Sequence, residues 1–201
     1  MLFSLVVAHY QGTVSDVELN RCLSSVFRNS FCDFEVLVVH DGPLLRSWGV
    51  RVVSSKIRFF VTDRFVGDWG HTGRDFAMRR AEGEYVIHLN ADNVLDSEVL
   101  GVLAEEIKSS GKKRYVLPVV MMGMRKDLHY DMPRDYSKNV ILRGTPVYGK
   151  IDAMQLVMLR SEWKRFGYWY DKRLDGDGYM YQRFCEGNSF KWVNHLVGVH
   201  Y

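Results

Sequence analysis

The chain has 201 residues, with 27 Lys and Arg against 24 Asp and Glu, and a formal net charge of +3 at pH 7. This small basic excess argues against binding to duplex DNA or to an anionic membrane surface, both of which use concentrated basic patches. The apolar fraction of 47% is typical of globular proteins. The length suits one core better than two, so we expect a single domain over residues 1–201.

The cysteines and the apolar runs bear on the compartment. Cys22, Cys32 and Cys185 form no CxxC pair, and their odd number cannot close into a disulfide framework, which favours a reducing compartment such as the cytoplasm. The apolar run at residues 2–8 lacks the basic start and the length of a signal peptide. No stretch approaches the roughly 20 apolar residues that span a bilayer, so we predict a soluble protein.

Short apolar runs rich in β-branched and aromatic residues predict strands covered on both faces. They lie at residues 3–8, 34–39, 57–61, 85–89 and 115–120. Helical periodicity fills the gaps between them. A helix follows the capping box Ser15 to Glu18, a second covers residues 72–82 and ends at Gly83 in a left-handed conformation, and Asp96 caps a third. This alternation predicts an α/β fold with a parallel sheet.

The pattern changes after residue 120. Residues 121–148 have no clear period and predict a long loop at a working edge. The segment 108–143 holds nine basic and three acidic residues, which suits either an anionic ligand or a solvated surface. Beyond it we expect an apolar strand at 153–159, a helix opened by Ser161, a helix over 178–185 and a strand at 190–193.

Polar residues follow three of the predicted strands. The first strand ends in His9 and Tyr10, the second in His40 and Asp41, and the fourth in the run 90–93. These ends should share one edge of the sheet, where α/β proteins bind ligands. The Asx-rich run 90–93 can supply oxygen ligands for a divalent cation. Asp41 can either bind a ligand or, because it precedes a glycine, form a turn.

Four short motifs occur in a fixed order. They are His40-Asp41-Gly42-Pro43; Gly73-Arg74-Asp75; Ala81-Glu82-Gly83-Glu84-Tyr85 leading to Asn90-Ala91-Asp92; and Gly176-Asp177 followed by Arg183 and Gly187. This order resembles the GT-A fold glycosyltransferases of the large family 2 type. Those proteins carry Asp-Asp-Gly-Ser, Arg-Asn on a helix, an Ala-x-Gly-(Glu)-Tyr lead into Asp-x-Asp, and Glu-Asp followed by Arg and Gly. The resemblance extends from Ser4 to about Asn188, and a glycosyltransferase domain of this size encoded by chlorella viruses is also similar.

The resemblance implies a GT-A fold, with a mostly parallel central sheet flanked by helices. It also implies a metal-dependent glycosyltransferase that moves a hexosyl or deoxyhexosyl group from a nucleotide sugar, UDP-linked, to a hydroxyl of a glycan or glycoconjugate. We expect inversion at the sugar, because one base is assigned and no second carboxylate serves as a nucleophile. A virus-encoded protein of this kind would act in the cytoplasm of a host cell.

The resemblance also assigns residues. Asp177 would be the base that activates the acceptor, and Asp92 and His200 would hold Mn²⁺ or Mg²⁺, with His195 as the alternative to His200. The nucleotide sugar would be bound by Ala8, His9, Tyr10, Asp41, Arg74, Asp75, Asn90 and Ala91.

Three acids of the family pattern are replaced in this chain, by His40, Asn90 and Gly176. Each of these motifs has two acids in the family, and this chain retains the second one. The resemblance assigns the more important function to that second acid. Asn90 still offers a carbonyl oxygen. The loss of a carboxylate should nonetheless weaken the affinity for a metal.

Other functions and roles stay open at this point. A sugar nucleotidyltransferase would need a basic glycine-rich loop after the first strand, but residues 11–14 contain neither Lys nor Arg. A non-catalytic module that binds sugar nucleotides or glycans would suit the missing acids. The glycines at 67, 70 and 73 do not match the dinucleotide-binding motif.

Some single residues also have alternative roles. Asp177 can alternatively cap the helix that follows it. Four aromatic residues can either stack on sugars or fill the core: Trp69, Tyr168, Trp169 and Tyr170.

Overall fold

The computed structural model describes residues 1–123, 139–174 and 176–201. Its strands are β1 (Phe3–His9), β2 (Phe34–His40), β3 (Ile57–Val61), β4 (Tyr85–Asn90), β5 (Val94–Leu95), β6 (Arg114–Val116), β7 (Val119–Met122), β8 (Asn139–Leu142), β9 (Leu156–Leu159), β10 (Lys191–Trp192) and β11 (Gly198–His200). Its α-helices are α1 (Asp16–Phe27), α2 (His71–Met78), α3 (Val99–Ser110), α4 (Arg160–Arg165) and α5 (Gly176–Phe184). Short 3₁₀ helices cover Ala153–Gln155 and Glu186–Asn188.

Seven strands form the central sheet, in the order β10-β6-β9-β4-β1-β2-β3. The strands β4, β1, β2 and β3 run parallel to one another, and β10 is parallel to β6. Only β9 runs antiparallel to its neighbours β4 and β6. The predicted α/β fold with a mostly parallel sheet is therefore confirmed.

Hydrophobic residues cover both faces of this sheet. On β1, Leu5 and Val7 belong to one buried cluster together with residues of α1 and α3. Val6, which points the other way, belongs to a second cluster with residues of α2 and α5. Because successive side chains of a strand alternate between faces, the continuous apolar run of β1 is explained by helices on both sides.

A second, smaller sheet has four strands in the order β5-β11-β7-β8. In it, β11 pairs antiparallel with β5 and parallel with β7. The run predicted as one strand at 115–120 is divided between β6 in the first sheet and β7 in the second. The single-strand prediction is wrong because Pro118 lacks the amide hydrogen that a central strand donates.

The helix predicted over residues 72–82 ends at Met78, and Gly83 does not adopt a left-handed conformation. The glycine is needed for a close approach instead. A Cβ atom at residue 83 would lie 2.5 Å from the carbonyl carbon of Phe3 and 2.5 Å from the nitrogen of Ser4. Gly83 therefore lets the chain pass directly against the start of β1 before it enters β4.

Several other boundaries differ from the predictions. The N-cap of α3 is Glu98, and Asp96 accepts a hydrogen bond from its backbone nitrogen at 2.9 Å. Helix α4 begins at Arg160, one residue before Ser161. Residues 121–148, predicted as a loop, include the end of β7 and all of β8, and residues 124–138 lie outside the described residues.

The capping box at Ser15 and Glu18 is present in both directions, which confirms the predicted start of α1. All three cysteines are free. Among the helices that the structure describes, none has the length and apolar character to cross a bilayer.

Candidate active site

A pocket of about 680 Å³ opens where β1, β2 and β4 end. The parallel register places Ala8 beside Asn90 and His9 beside His40, so the three carboxyl ends meet at one edge, as expected. The pocket is lined by Ala8, His9, Tyr10, Thr13, Val14, Glu18, Asp41, Phe65, Gly67, Trp69, Gly70, Asn90, Ala91, Asp92 and His200. Most of the predicted site residues are thus brought together.

Asp92 and His200 reach this pocket from different sheets. Asp92 follows β4, and its backbone oxygen accepts a hydrogen bond from Nη2 of Arg21 at 2.9 Å. The chain then enters β5, in which Val94 pairs with Val199, the neighbour of His200. This pairing brings His200 to the same pocket as Asp92. His195, the alternative to His200, instead pairs with Asp96 at 2.9 Å and is not part of the pocket lining.

Asp41 is 6% exposed and anchors a loop. Its Oδ1 accepts a hydrogen bond from the backbone nitrogen of Val66 at 3.0 Å, and its Oδ2 accepts one from Gly67 at 2.8 Å. The carboxylate therefore fixes the segment that carries Phe65 and Trp69 along the pocket. An ionised carboxylate has about four acceptor positions, so these two bonds leave capacity for a ligand.

His40 stands where the resembled family has an acid, and its ring joins two loops. Its Nε2 accepts a hydrogen bond from the backbone nitrogen of Gln11 at 3.1 Å. Its Nδ1 lies 2.7 Å from the backbone oxygen of Gly42 and must donate to it. One nitrogen that accepts and one that donates describe a neutral imidazole. His40 is completely buried, and its ring thus holds the segments at Gln11 and Gly42 together.

His9 lies between His40 and Trp48, and its ring stacks on Trp48 with a centroid distance of 5.2 Å. Burial, with a smaller contribution from His40, lowers the pKa of His9 to about 4. The ring is therefore neutral at pH 7. Next to it, Tyr10 and Phe65 stack at 4.4 Å and form an aromatic wall of the pocket.

Arg74 on α2 is buried, at 2% exposure, behind the pocket. Its Nη1 donates to the backbone oxygen of Trp69 at 2.8 Å, and its Nη2 donates to Oδ1 of Asn90. Burial lowers the pKa of Arg74, and the negative charges of Asp177 and Asp152 counteract that effect. The guanidinium fixes two elements of the pocket and adds a positive charge close to it.

Asp177 lies in the first turn of α5, and its Oδ1 accepts a hydrogen bond from the nitrogen of Gly178 at 2.9 Å. The helix begins at Gly176, so Asp177 lies inside the first turn and does not precede the helix as its alternative role as an N-cap required. Burial lowers the pKa of Arg74 and raises that of Tyr181, and the negative charge of Asp177 acts in the raising direction on both. Asp177 is not among the lining residues, but it acts electrostatically on the Arg74 that bonds Asn90.

Asp75, like Asp177, is a predicted site residue that does not line the pocket. Its carboxylate pairs with Arg79 one turn later on α2, at 3.0 Å, and it is not among the lining residues. The adjacent Arg74 points inward because successive helical residues lie about 100° apart.

The four aromatic residues divide between core and surface. Trp169 is completely buried, and its Nε1 donates to Nδ1 of His71 at 2.8 Å, which confirms the core interpretation for this residue. Trp69 is 64% exposed and lines the pocket. Its φ of 54° is a left-handed conformation that is costly for a large side chain. Tyr170 is exposed, at 41%, and Tyr168 is half-buried.

Asp152 is the functional candidate that the sequence did not reveal. Its Oδ2 lies 3.1 Å from Nδ1 of His200, and its side chain is 14% exposed. It caps the 3₁₀ helix Ala153–Gln155 through a capping box with Gln155. The Asp-x-x-Gln spacing could have indicated the cap. The pairing with His200, which is distant in sequence, had no local signal.

Comparison with protein families finds a match to the model of glycosyl transferase family 2 over residues 4–183. None of the curated proteins matches the chain. Among solved structures, TarS of S. aureus in complex with UDP-GlcNAc is similar, with a TM-score of 0.70 at 17% identity over all of this chain and 58% of that one. The mannosyltransferase PcManGT of Pyrobaculum calidifontis, in complex with GDP-Man and Mn²⁺, has a TM-score of 0.70 at 15% identity over 98% of this chain.

These similarities confirm the predicted GT-A fold. The chain spans 58% of the TarS chain and 56% of the PcManGT chain.

Proposed function

Because the chain belongs to glycosyl transferase family 2, we propose that it transfers a hexosyl or deoxyhexosyl group from a nucleotide sugar to a hydroxyl of a glycan or glycoconjugate. The observation that carries the proposal is the single pocket shared by the ends of β1, β2 and β4, Asp92 and His200. The TarS and PcManGT structures hold UDP-GlcNAc and GDP-Man, which supports a nucleotide sugar as the ligand class. We propose UDP as the nucleotide.

The pocket has suitable groups for each part of such a donor. Tyr10 and Phe65 offer aromatic faces to a nucleobase, and Asp41 retains acceptor positions for a ribose hydroxyl or a base N–H. Trp69, exposed at the rim, offers a face to a sugar.

The proposed cation, Mn²⁺ or Mg²⁺, would be held by the carboxylate of Asp92, an oxygen ligand that suits both ions, with the imidazole of His200 as a further ligand. No group of three or more His, Cys, Asp or Glu that could hold a metal occurs in the described part of the chain. Mg²⁺ in proteins is commonly bound through one or two carboxylates and completes its shell with water and phosphate oxygens. A bound cation would offset the negative charge that grows on the departing diphosphate.

Asp177 is the proposed base, which accepts the proton of the acceptor hydroxyl as that oxygen attacks the sugar. Asp177 lies close enough to the buried Arg74 for its negative charge to counteract the effect of burial on the pKa of that arginine. A single base with direct attack inverts the configuration of the sugar carbon. Such proton transfer contributes about 10²- to 10⁴-fold to the rate.

We extend the proposal to a reducing compartment such as the cytoplasm, in keeping with three free cysteines. The resemblance to a virus-encoded domain also remains a prediction.

The test is a thermal-shift screen of UDP-sugars, GDP-sugars and NAD with and without Mn²⁺, because a ligand that binds only the folded state raises the melting temperature. We expect a UDP-sugar to stabilise the protein more in the presence of Mn²⁺. Stabilisation by NAD alone, or by no nucleotide, contradicts the proposal. Release of pyrophosphate from a sugar phosphate and UTP would instead identify a nucleotidyltransferase.

A further inference from the structure

Trp69 has a left-handed backbone conformation that its side chain disfavours. Its φ is 54°, and it lies between Gly67 and Gly70, whose φ angles are 70° and 82°. Glycine adopts this conformation without strain because it has no Cβ atom, whereas a residue with a large side chain is strained in it. A third glycine at position 69 would therefore suit the backbone better than the tryptophan does.

The conformation at Trp69 is imposed by hydrogen bonds that do not involve its indole ring. Nη1 of Arg74 donates to the backbone oxygen of Trp69 at 2.8 Å. Oδ2 of Asp68 accepts from the nitrogen of Thr72 at 2.9 Å, which joins the loop to α2. Asp41 holds the start of the same loop through two backbone nitrogens. The loop should therefore keep its shape when another side chain replaces the indole.

The indole of Trp69 gains little from packing within the protein. It is 64% exposed, and among the described residues it belongs to neither hydrophobic cluster. Tyr168, with a φ of 62°, is the other non-glycine residue with a positive φ in the described part of the chain. Tyr168 packs against the second cluster, and the guanidinium of Arg79 lies 4.6 Å from the centre of its ring. Packing thus offsets the strain at Tyr168 but not at Trp69.

Trp69 lines the pocket near the ends of β1 and β4. Arg74 bonds both its backbone oxygen and the side chain of Asn90, the last residue of β4. At the next residue, Gly70, an added Cβ atom would lie 2.6 Å from Cβ of Ala8 on β1. Trp69 is therefore placed beside the end of β4, which the proposed cation site at residue 92 follows.

The other aromatic residues of the pocket lie towards β2. A Cβ atom added to Gly42, which follows β2, would lie 2.6 Å from the nitrogen of Phe65, and Phe65 stacks on Tyr10. In a nucleotide sugar the diphosphate separates the base from the sugar. With the base beside Tyr10 and the diphosphate beside Asp92, the sugar is the part of the donor that remains for Trp69.

We propose that Trp69 is a specificity-determining residue that stacks on the hexosyl or deoxyhexosyl ring of the donor. The aromatic face would cover the C–H groups of the sugar ring, and this contact would compensate for the strain in the free protein. The inference rests on the proposed function, since it concerns the donor of that same pocket. It separates recognition of the sugar from recognition of the nucleotide.

The test compares the affinities of UDP and UDP-sugars in three variants. Trp69→Gly removes the ring and relieves the strain, and Trp69→Phe keeps an aromatic face. The matched control is Tyr168→Gly, which makes the same change at the other left-handed aromatic residue, away from the pocket lining. Titration calorimetry with Mn²⁺ present gives the Kd of UDP, UDP-glucose, UDP-galactose, UDP-GlcNAc and a UDP-deoxyhexose.

We expect Trp69→Gly to weaken the binding of the preferred UDP-sugar by about 5- to 30-fold and to leave the Kd of UDP within about twofold. Trp69→Phe should lose less than Trp69→Gly, and Tyr168→Gly should change neither Kd by more than about twofold. An equal loss for UDP and the UDP-sugar, or no loss for either, overturns the inference while the proposed function stands. If the unmodified protein binds no UDP-sugar, the UDP part of the proposed function fails and the inference fails with it.

The melting temperatures of the same variants test the premise independently of any ligand. Relief of strain should keep the melting temperature of Trp69→Gly within about 3 °C of the unmodified protein or raise it. Tyr168→Gly should melt at a clearly lower temperature because it loses packing. A similar large decrease in both variants would show that Trp69 stabilises the free protein, and would overturn the inference.

A measurement on the unmodified protein covers the case in which Trp69→Gly disturbs the loop. The indole N–H resonance of Trp69 is assigned in ¹⁵N-labelled protein by its loss in Trp69→Phe. We expect the UDP-sugar to shift this resonance further than UDP alone does. An identical position in the two complexes overturns the inference.

Discussion

The buried guanidinium of Arg74 donates a hydrogen bond to the side-chain oxygen of Asn90, at the position where the family pattern has the first acid of Asp-x-Asp. A carboxylate there would form an ion pair with the arginine, whereas the amide accepts the same bond without a negative charge. The replacement of Asp by Asn therefore leaves more of the positive charge of Arg74 available to an anionic ligand.

Arg74→Lys should weaken both folding and nucleotide-sugar binding. A lysine cannot reproduce the fork that bonds Trp69 and Asn90 at once, so one acceptor is left unsatisfied. We expect a loss of about 1–3 kcal/mol in the free energy of unfolding in urea, and a higher KM for the donor. Arg79→Lys on the exposed side of α2 is the control and should change neither quantity measurably. Equal behaviour of the two variants would contradict the role given to Arg74.

Asp177→Asn should abolish transfer while it preserves donor binding. The amide cannot accept the proton of the acceptor hydroxyl, so kcat should fall by about 10²- to 10⁴-fold. The Kd of the nucleotide sugar should stay within about twofold, because Asp177 is not among the lining residues. Nucleoside diphosphate release and calorimetry measure the two quantities. Asp171→Asn, which alters an ion pair with Arg173, is the control. Full activity of Asp177→Asn removes this residue from the mechanism.

Gly83→Ala should destabilise the protein, because the added methyl group would meet the backbone of Phe3 and Ser4 at 2.5 Å. Backbone atoms cannot move aside as a flexible side chain can, so we expect a loss of about 1–3 kcal/mol or more. Gly101→Ala on α3 is the matched control, since its Cβ has nothing within 4 Å. That change should stabilise by about 0.5–1 kcal/mol. Urea unfolding of both variants tests the pair, and a neutral Gly83→Ala would contradict the close approach.

Three buried histidines should make the protein sensitive to acid. Burial is the main cause that lowers the pKa of His9 and His71 to about 4 and that of His88 well below its usual value. Below about pH 6.5 the unfolded chain binds protons that the folded chain does not. Stability is therefore complete above pH 6.5 and declines as the pH falls towards 4.

The decline between pH 7 and pH 5 should reach up to about 2 kcal/mol for each of these histidines. His88→Phe removes one titrating group that packs edge-on against Trp163 and Trp169. Its unfolding free energy should therefore depend less steeply on pH, whatever its absolute stability. Urea midpoints at pH 7, 6 and 5 measure the slope. An unchanged slope in His88→Phe would show that His88 does not contribute.

The residues at the carboxyl edge of the sheet could be predicted from the sequence. The apolar run of each strand is a local pattern, and a parallel arrangement places the ends of such strands at the same edge. Asp41 and Asn90 both follow continuous apolar runs, and parallel strands necessarily bring such ends together. The interpretation of Gly83 was wrong because a glycine after a helical pattern suggests a helix end. The approach of β1, 79 residues earlier in the chain at Ser4, leaves no trace in the neighbouring sequence.

The partners of the site residues were less predictable than the residues themselves. Asp152 contacts His200 only because the second sheet returns the chain to the pocket, and no spacing rule connects positions so far apart. The separation of Arg74 from Asp75 is instead a consequence of helix geometry, since adjacent helical residues cannot face the same site. The sequence positions of the apolar residues of α2 would have shown that Arg74 and Asp75 lie on different faces of the helix.

The second sheet holds one residue of the pocket, His200, between two neighbouring strands. His200 is held on one side by β5, through the pairing of Val199 with Val94, and on the other by β7, through its own pairing with Met121. Because these pairings are made by backbone atoms, side-chain replacements along β5 or β7 need not shift the strand that carries His200. The surroundings of the pocket can therefore change in sequence while the histidine keeps its register.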